Sequence, residues 1–252
     1  MIMEISGGFL DVFHIQNKEG YMLVFEYQCR VSFRNPLNHE KAAEVISGYI
    51  DRALGKREDY LDFHKSREFK YYCFDLPYPF ESSRVYEAGK VYTVRIRTVK
   101  QDLAEYFSQM LPYQRTGEVY GRGGDLKIIT KKMLECVYSL TPILMKDPDY
   151  GYWRTHMSLD QYEEWLKVNL IKKYNHFTGK KLDENFQLYE LMEFKNRKPV
   201  RCDYKGITLL GDKISFITGK NETAQELWYF ALGAGLGNSC SRGNGFMNYR
   251  YL

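Results

Sequence analysis

The side chains that could carry chemistry in this sequence are few. Five histidines occur, His14, His39, His64, His156 and His176. None pairs with another in H-x-x-x-H or H-E-x-x-H spacing, so a histidine-bound metal has little support. His64 stands apart because of its neighbours in FHKSREFK, where Lys65, Arg67 and Lys70 crowd positive charge around an imidazole. Nearby cations disfavour imidazolium, and a neutral ring can accept a proton that its conjugate acid returns. A surface histidine in a basic, hydrated loop is the plainer reading of the same residues. No serine sits in a nucleophile elbow and no Asp/Glu cluster has a metal-binding spacing. Catalysis by this chain would therefore be metal-independent, and no cofactor is expected.

The other feature with chemical meaning is GAGLGNSCSRGNG, Gly233 to Gly245, close to the end of the sequence. A dinucleotide fingerprint would need a further glycine where the sequence has Asn238, Cys240 or Asn248. It would also have to precede a helix, whereas this stretch follows one. A phosphate-binding G-x-x-x-x-G-K-[ST] is absent, since Gly243 is followed by Asn244 and Gly245. What remains is a helix-to-strand loop containing Gly235, Gly237, Asn238, Ser239, Ser241, Arg242, Gly243 and Gly245. Such a loop can present N–H donors and one guanidinium to a phosphate chain. It can equally use glycine only to turn the chain.

Composition sets the bounds. The chain has 252 residues, 44% of them hydrophobic, enough for one large domain or two small ones. Aromatic residues make up 16%, led by 22 tyrosines, which suit cores with a polar exit and also base-stacking surfaces. The net charge of +4 permits a polyanionic partner without requiring one. Cys29, Cys73, Cys136, Cys202 and Cys240 are odd in number and widely spaced, which argues against a disulfide framework and a structural zinc site. A reducing, cytoplasmic compartment is expected. MIMEISGGFLDVFHIQ lacks the pattern of a signal peptide, and no apolar stretch is long enough to span a membrane.

The elements that must position these residues follow from periodicity. YMLVFEYQCRVSF alternates, with Tyr21 through Phe33 at odd positions on one face and Glu26, Gln28, Arg30 and Ser32 on the other, as in a half-buried strand. Ala42, Val45, Ile46, Tyr49, Ile50 and Ala53 then follow helical spacing, with Gly55 as a stop. FKYYCFDL and EAGKVYTVRIRTV read as strands, Leu103 to Met110 as a second helix, and GRGGDLKIIT as a loop and a strand. The second half repeats the pattern. KKMLECVYSLTPILM is strand-like, and Leu159 to Leu170 form a helix capped by Ser158. LYELMEF, YKGITLL and KISFITG are short strands, the last two meeting at Gly211-Asp212. Thr223 with Glu226 resembles a capping box before a final helix. The order is βαββαβ twice, so the expected fold is α+β: tandem ferredoxin-like, RRM-like domains over residues 1–130 and 131–252. In that fold helices cover one sheet face and leave the other free to bind. Cationic loops, many aromatics and such a face point toward RNA.

Together these features resemble the CRISPR-associated repeat-processing endoribonucleases, the Cas-six family of the RAMP superfamily. Gly235-Leu236-Gly237 and Gly243-Asn244-Gly245-Phe246 resemble its terminal glycine-rich loop, with Arg242 in the basic place and Asn244 where a bulky apolar residue is usual. SLTPIL resembles the short Ser/Thr-Pro strand that opens the second domain. Family members carry a tyrosine on the first helix, a histidine after it and a lysine before the next strand. Tyr49, His64 and Lys70 fall in those places, and His39 is a reserve because some relatives have their histidine near that point. The resemblance implies cleavage of CRISPR repeat RNA by 2′-OH attack, giving a 2′,3′-cyclic phosphate and a 5′-OH. Proton transfer would fall to His64 and Tyr49, and charge stabilisation to Lys70. A core tyrosine is as good a reading of Tyr49. The implied partner is repeat RNA, handled by a monomer or homodimer. A non-catalytic RNA-binding subunit of an effector complex is the alternative.

Overall fold

The computed structural model describes residues 22–252 apart from Arg67 and Pro148, and the side chain of His64 also lies outside the described residues. Two four-stranded antiparallel sheets organise the chain. The first contains β1 (Val24–Phe33), β3 (Tyr72–Phe74), β5 (Val91–Thr98) and β6 (Val119–Ile129), in the order β3-β5-β1-β6, while the short strands β2 (Leu37–Asn38) and β4 (Val85–Tyr86) pair separately. The second contains β7 (Leu134–Ser139), β9 (Tyr189–Phe194), β12 (Ile214–Thr218) and β13 (Met247–Tyr251), in the order β13-β7-β12-β9. Each sheet places its last strand beside its first and its third beside its second, as a βαββαβ unit requires. The fold is therefore the expected tandem of ferredoxin-like domains. The chain leaves the first sheet at Ile129 and enters the second at Leu134.

Helix α1 (His39–Leu54) is capped by Asn38, whose Oδ1 accepts the Glu40 N–H at 2.9 Å. Its stripe of Ala42, Ile46, Tyr49, Ile50 and Ala53 is buried against the first sheet. A short helix α2 (Glu58–Lys65) follows, where the sequence suggested a hydrated loop. Glu58 and Asp59 in its first turn favour the positive end of the helix dipole. Tyr60 anchors it, with the Arg57 guanidinium 3.9 Å from its ring centroid. Helix α3 (Gln101–Met110) completes the layer beside α1.

In the second domain, α4 (Leu159–Thr178) starts at a reciprocal capping box between Ser158 and Gln161. Helix α5 (Glu222–Ala234) starts two residues earlier than Thr223 suggested. Its cap is Asn221, whose Oδ1 accepts the Ala224 N–H at 2.9 Å. Trp228 on α5 is fully enclosed and packs 4.8 Å from Phe216 between ring centroids. Truncating it to alanine would cost about 3–5 kcal/mol.

Three further expectations need correction. GRGGDLKIIT is not a loop followed by a strand, because its glycines lie within β6. There a Cβ at Gly124 would stand 2.3 Å from the Tyr27 hydroxyl. Gly211-Asp212 is not a hairpin turn. Both residues end β11 (Ile207–Asp212), which pairs with β10 (Val200–Tyr204) and with β8 (Ile143–Leu144) in a separate three-stranded sheet. The reversal is instead at Lys205-Gly206, with φ of +48° and +79°.

The third correction concerns the free sheet face. In the first domain α5 of the second domain packs onto it. Tyr229 accepts the Val24 N–H at 3.1 Å and donates to Ile129 O at 2.7 Å. Glu26 and Arg97 are buried there, paired at 2.7 Å, and Arg97 also donates to Met247 O at 2.6 Å. Burial alone would raise the Glu26 pKa, but Arg97, with hydrogen bonds from Gln28, Arg97 and Lys127, outweighs it and brings the carboxyl down to about 2. Domain packing thus covers part of the face that was expected to stay open, around Glu26 and Arg97, while the side chains of Arg30, Asp125 and Lys127 on the same face remain exposed.

Candidate nucleic-acid interface

The glycine-rich loop lies where the two domains meet. α5 ends at Gly235, and the chain then pairs with β8, Asn238 N–H donating to Leu144 O at 2.8 Å. A single 3₁₀ turn, Cys240–Arg242, follows. Leu236 N–H donates to Gly245 O at 3.0 Å and closes the loop on itself. A Cβ at Gly245 would stand 1.9 Å from Leu236 O, and φ there is +59°, so no other residue fits. Gly235, Gly237, Gly243 and Gly245 are all buried. The N–H groups of Gly235, Gly243 and Gly245 donate to Ala231, Cys240 and Pro142 carbonyls. The buried glycines shape the loop, and its partly exposed positions are Asn238, Ser239, Ser241 and Arg242.

Asn238 Oδ1 accepts the Lys146 N–H at 2.9 Å, and Ser241 lies beside the Tyr72 phenol. Arg242 occupies the centre. Its guanidinium lies 4.2 Å from the ring centroid of Tyr204, at the end of β10. Burial, and secondarily Arg242, hold the ammonium of Lys146 below its ordinary pKa. Burial likewise lowers Lys70, with Arg242 adding to the effect and Glu68 and Asp51 opposing it. Three cations from three parts of the chain therefore share one field, an arrangement suited to a polyanion.

Arg242, Ser239 and Lys146 line a cleft of about 1010 Å³. Its other walls are the start of α1 and the β10–β11 hairpin, and it combines apolar residues such as Leu76, Phe80 and Leu209 with cations such as Arg84 and Arg201. His39 lies in this wall, 8% exposed, its ring 3.7 Å from Phe80 and 4.4 Å from Tyr86 between centroids. Neither ring nitrogen has a hydrogen-bond partner among the described residues. Burial, then Arg84, lowers its pKa against the opposing pull of Glu81. The ring is thus neutral at neutral pH and carries a free lone pair.

The tyrosine, histidine and lysine expected to work together are placed differently. Tyr49 is 2% exposed, its hydroxyl donates to Leu111 O, and burial, then Cys29, raises its pKa. The phenol is therefore enclosed in the core with its hydroxyl committed to a backbone carbonyl. Lys70 Nζ donates to Phe63 O, to Ser66 O at 2.8 Å and to Ser66 Oγ at 3.0 Å. All three of its N–H groups are engaged in closing the end of α2. His64 belongs to that helix, but its side chain lies outside the described residues. Sequence reading missed Lys146 and Tyr204. The Tyr204-Lys205-Gly206 turn was the available signal, hidden inside a run read as one strand.

Comparison with known proteins agrees with this architecture. The family described as "CRISPR associated protein Cas6, C-terminal" matches residues 125–249. Among solved structures, one described as "CRISPR associated protein Cas6" superposes with a TM-score of 0.67 at 20% identity, over 90% of this chain and 99% of that one. A Cas6-related protein from Pyrococcus furiosus gives 0.63 at 16% identity, over 90% and 98%. A Thermus thermophilus Cas6 gives 0.54 at 16%, over 91% and 99%. Another solved structure, with a TM-score of 0.67 at 17% identity over 90% and 99%, is described as "An RAMP protein binding different RNA substrates". No curated protein matches the sequence. The C-terminal region of this chain, residues 125–249 with the glycine-rich loop, belongs to the CRISPR-associated Cas6 family, and the fold is shared with solved Cas6 structures along nearly the whole chain.

Proposed function

We propose that this protein binds CRISPR repeat RNA across the glycine-rich loop and the adjoining cleft and cleaves it without a metal ion. The observation that carries this reading is the position of Arg242. Its charge acts on both Lys70 and Lys146, its guanidinium faces Tyr204, and it lines the same cleft as His39. The family match of the C-terminal region and the solved Cas6 product complex, which shares this fold, support the same substrate class.

In the proposed reaction the ribose 2′-oxygen bonds to the adjacent phosphorus and the bond from phosphorus to the 5′-oxygen breaks. A base takes the 2′-OH proton, an acid protonates the leaving 5′-oxygen, and cations offset the charge that builds on the phosphorane. The products are a 2′,3′-cyclic phosphate and a 5′-OH. We assign proton transfer to His64, beside the helix end that Lys70 closes, and keep His39 as the second histidine. Arg242 and Lys146 supply the positive field, with Lys70 contributing through its charge while its N–H groups hold α2. In-line positioning of the RNA would supply much of the rate.

A second reading has one observation in its favour. Tyr49 and Lys70 are both committed to backbone carbonyls. That leaves the site short of free reactive groups, as in a protein that holds repeat RNA without cutting it. Incubating the purified protein with repeat RNA in EDTA separates the two. Appearance of cyclic-phosphate ends supports cleavage. A stable complex with intact RNA supports the binding module, and activity that requires added magnesium overturns the metal-independent mechanism.

A further inference from the structure

We infer that Lys173 is a positioning residue that sets the glycine-rich loop for RNA from beneath, through its charge. The inference rests on the reading of that loop as an RNA contact. Lys173 lies on α4 at the buried spacing of Leu166 and Leu170, where an apolar residue is expected, and it is 5% exposed. Its ammonium donates to Gly237 O at 2.5 Å, to Gly235 O at 3.1 Å and to Cys240 Sγ at 3.5 Å. Three donors meet three acceptors, so the group is satisfied. None of these acceptors is a carboxylate, so its positive charge is not neutralised by them.

The consequences concern geometry and field. Gly235 caps α5, whose carbonyl end carries the negative pole of the helix dipole, and a cation there is favourable. Two loop carbonyls are turned inward onto Lys173. Facing carbonyls into the protein removes partial negative charge from the side where Ser239, Ser241 and Arg242 are presented. A buried cation in low dielectric also acts over a longer range than an exposed one. A neutral donor such as glutamine could hold the carbonyls but would not supply this potential. A charge buried this way releases no counterion when RNA binds, so it strengthens binding without steepening the salt dependence.

The test measures affinity of the full-length protein for repeat RNA over a range of salt, with Lys173→Met and Lys173→Gln beside wild type. Both folded variants should bind about tenfold more weakly at every salt concentration, with the wild-type slope. A lysine that only fills the core would lower the thermal midpoint and leave the affinity of the folded fraction unchanged. Wild-type affinity in either folded variant overturns the inference while the RNA reading stands. If wild type itself fails to bind at low salt, the RNA reading fails and the inference falls with it. Should both variants fail to fold, hydrogen exchange on wild type decides. Bound RNA should slow exchange across 235–245, and unchanged exchange there overturns the inference.

Discussion

The Arg242 guanidinium packs over the Tyr204 ring, 4.2 Å from its centroid, and so joins the glycine-rich loop to the hairpin inserted between β9 and β12. The stacked pair leaves a guanidinium edge for a phosphate and puts an aromatic ring beside the cleft. Arg242→Ala should weaken repeat RNA binding and lower the slope of log affinity against log salt by about one. Tyr204→Ala should weaken binding with the slope kept. Titrations at several salt concentrations check both, and an unchanged slope in Arg242→Ala would remove Arg242 from the interface.

Gly245 and Gly237 test whether loop shape matters for binding. At Gly237, φ is +79° and a Cβ would stand 2.7 Å from Leu144 O. At Gly245 the clash is with Leu236 O, inside the loop itself. Alanine at either place forces left-handed backbone and a steric shift together, a loss of roughly 1–3 kcal/mol each. Lower melting temperatures with weaker RNA binding are expected. Gly48→Ala, where nothing lies within 4 Å of a Cβ, is the control and should be neutral or stabilising because it sits within α1.

The histidine assignment is decided by single substitutions assayed in EDTA. His64→Ala should slow cleavage at least about 100-fold, the lower range for general acid–base catalysis, with RNA affinity kept. His39→Ala should cost less than about tenfold in rate. The opposite ranking would move proton transfer to His39, which lines the cleft and whose buried ring nitrogens have no hydrogen-bond partner among the described residues. Tyr49→Phe should leave the cleavage rate unchanged. It should still destabilise the fold by about 1–3 kcal/mol, because the Leu111 carbonyl loses its buried donor.

Much of this architecture was legible because it is written locally. The α1 stripe from Ala42 to Ala53, the Ser158 cap and the alternation through β1 each follow from neighbours a few residues apart. Helix α2 escaped because two turns with Glu58, Asp59 and Asp62 carry too little apolar surface to show a period. The hairpin escaped because Gly211-Asp212 has turn chemistry in sequence, yet Gly211 is glycine for a different reason: a Cβ would stand 2.6 Å from Ile143 O. The site was less legible still. A tyrosine on an apolar stripe looks the same whether its hydroxyl is reactive or bonded to a carbonyl 62 residues away. Lys173 reads as a break in a helical pattern, since its acceptors lie 62 and 64 residues further on.

The Glu26–Arg97 pair makes domain attachment sensitive to acid. The folded carboxyl titrates near 2, against an ordinary value of 4.5. A depressed carboxylate contributes stability that is fully present above about 4.5 and is lost as pH falls toward 2. The difference corresponds to about 3 kcal/mol, expressed at neutral pH. Arg97 also donates to Met247 O in the other domain, so its loss should loosen the seam that carries the glycine-rich loop. Glu26→Gln should destabilise the protein by about 3–5 kcal/mol at neutral pH, because it strands a buried guanidinium. The same variant should flatten the fall in melting temperature between pH 4.5 and 2 relative to wild type. Melting curves across that range check this, and parallel curves for the two proteins would show that Glu26 does not govern the acid response.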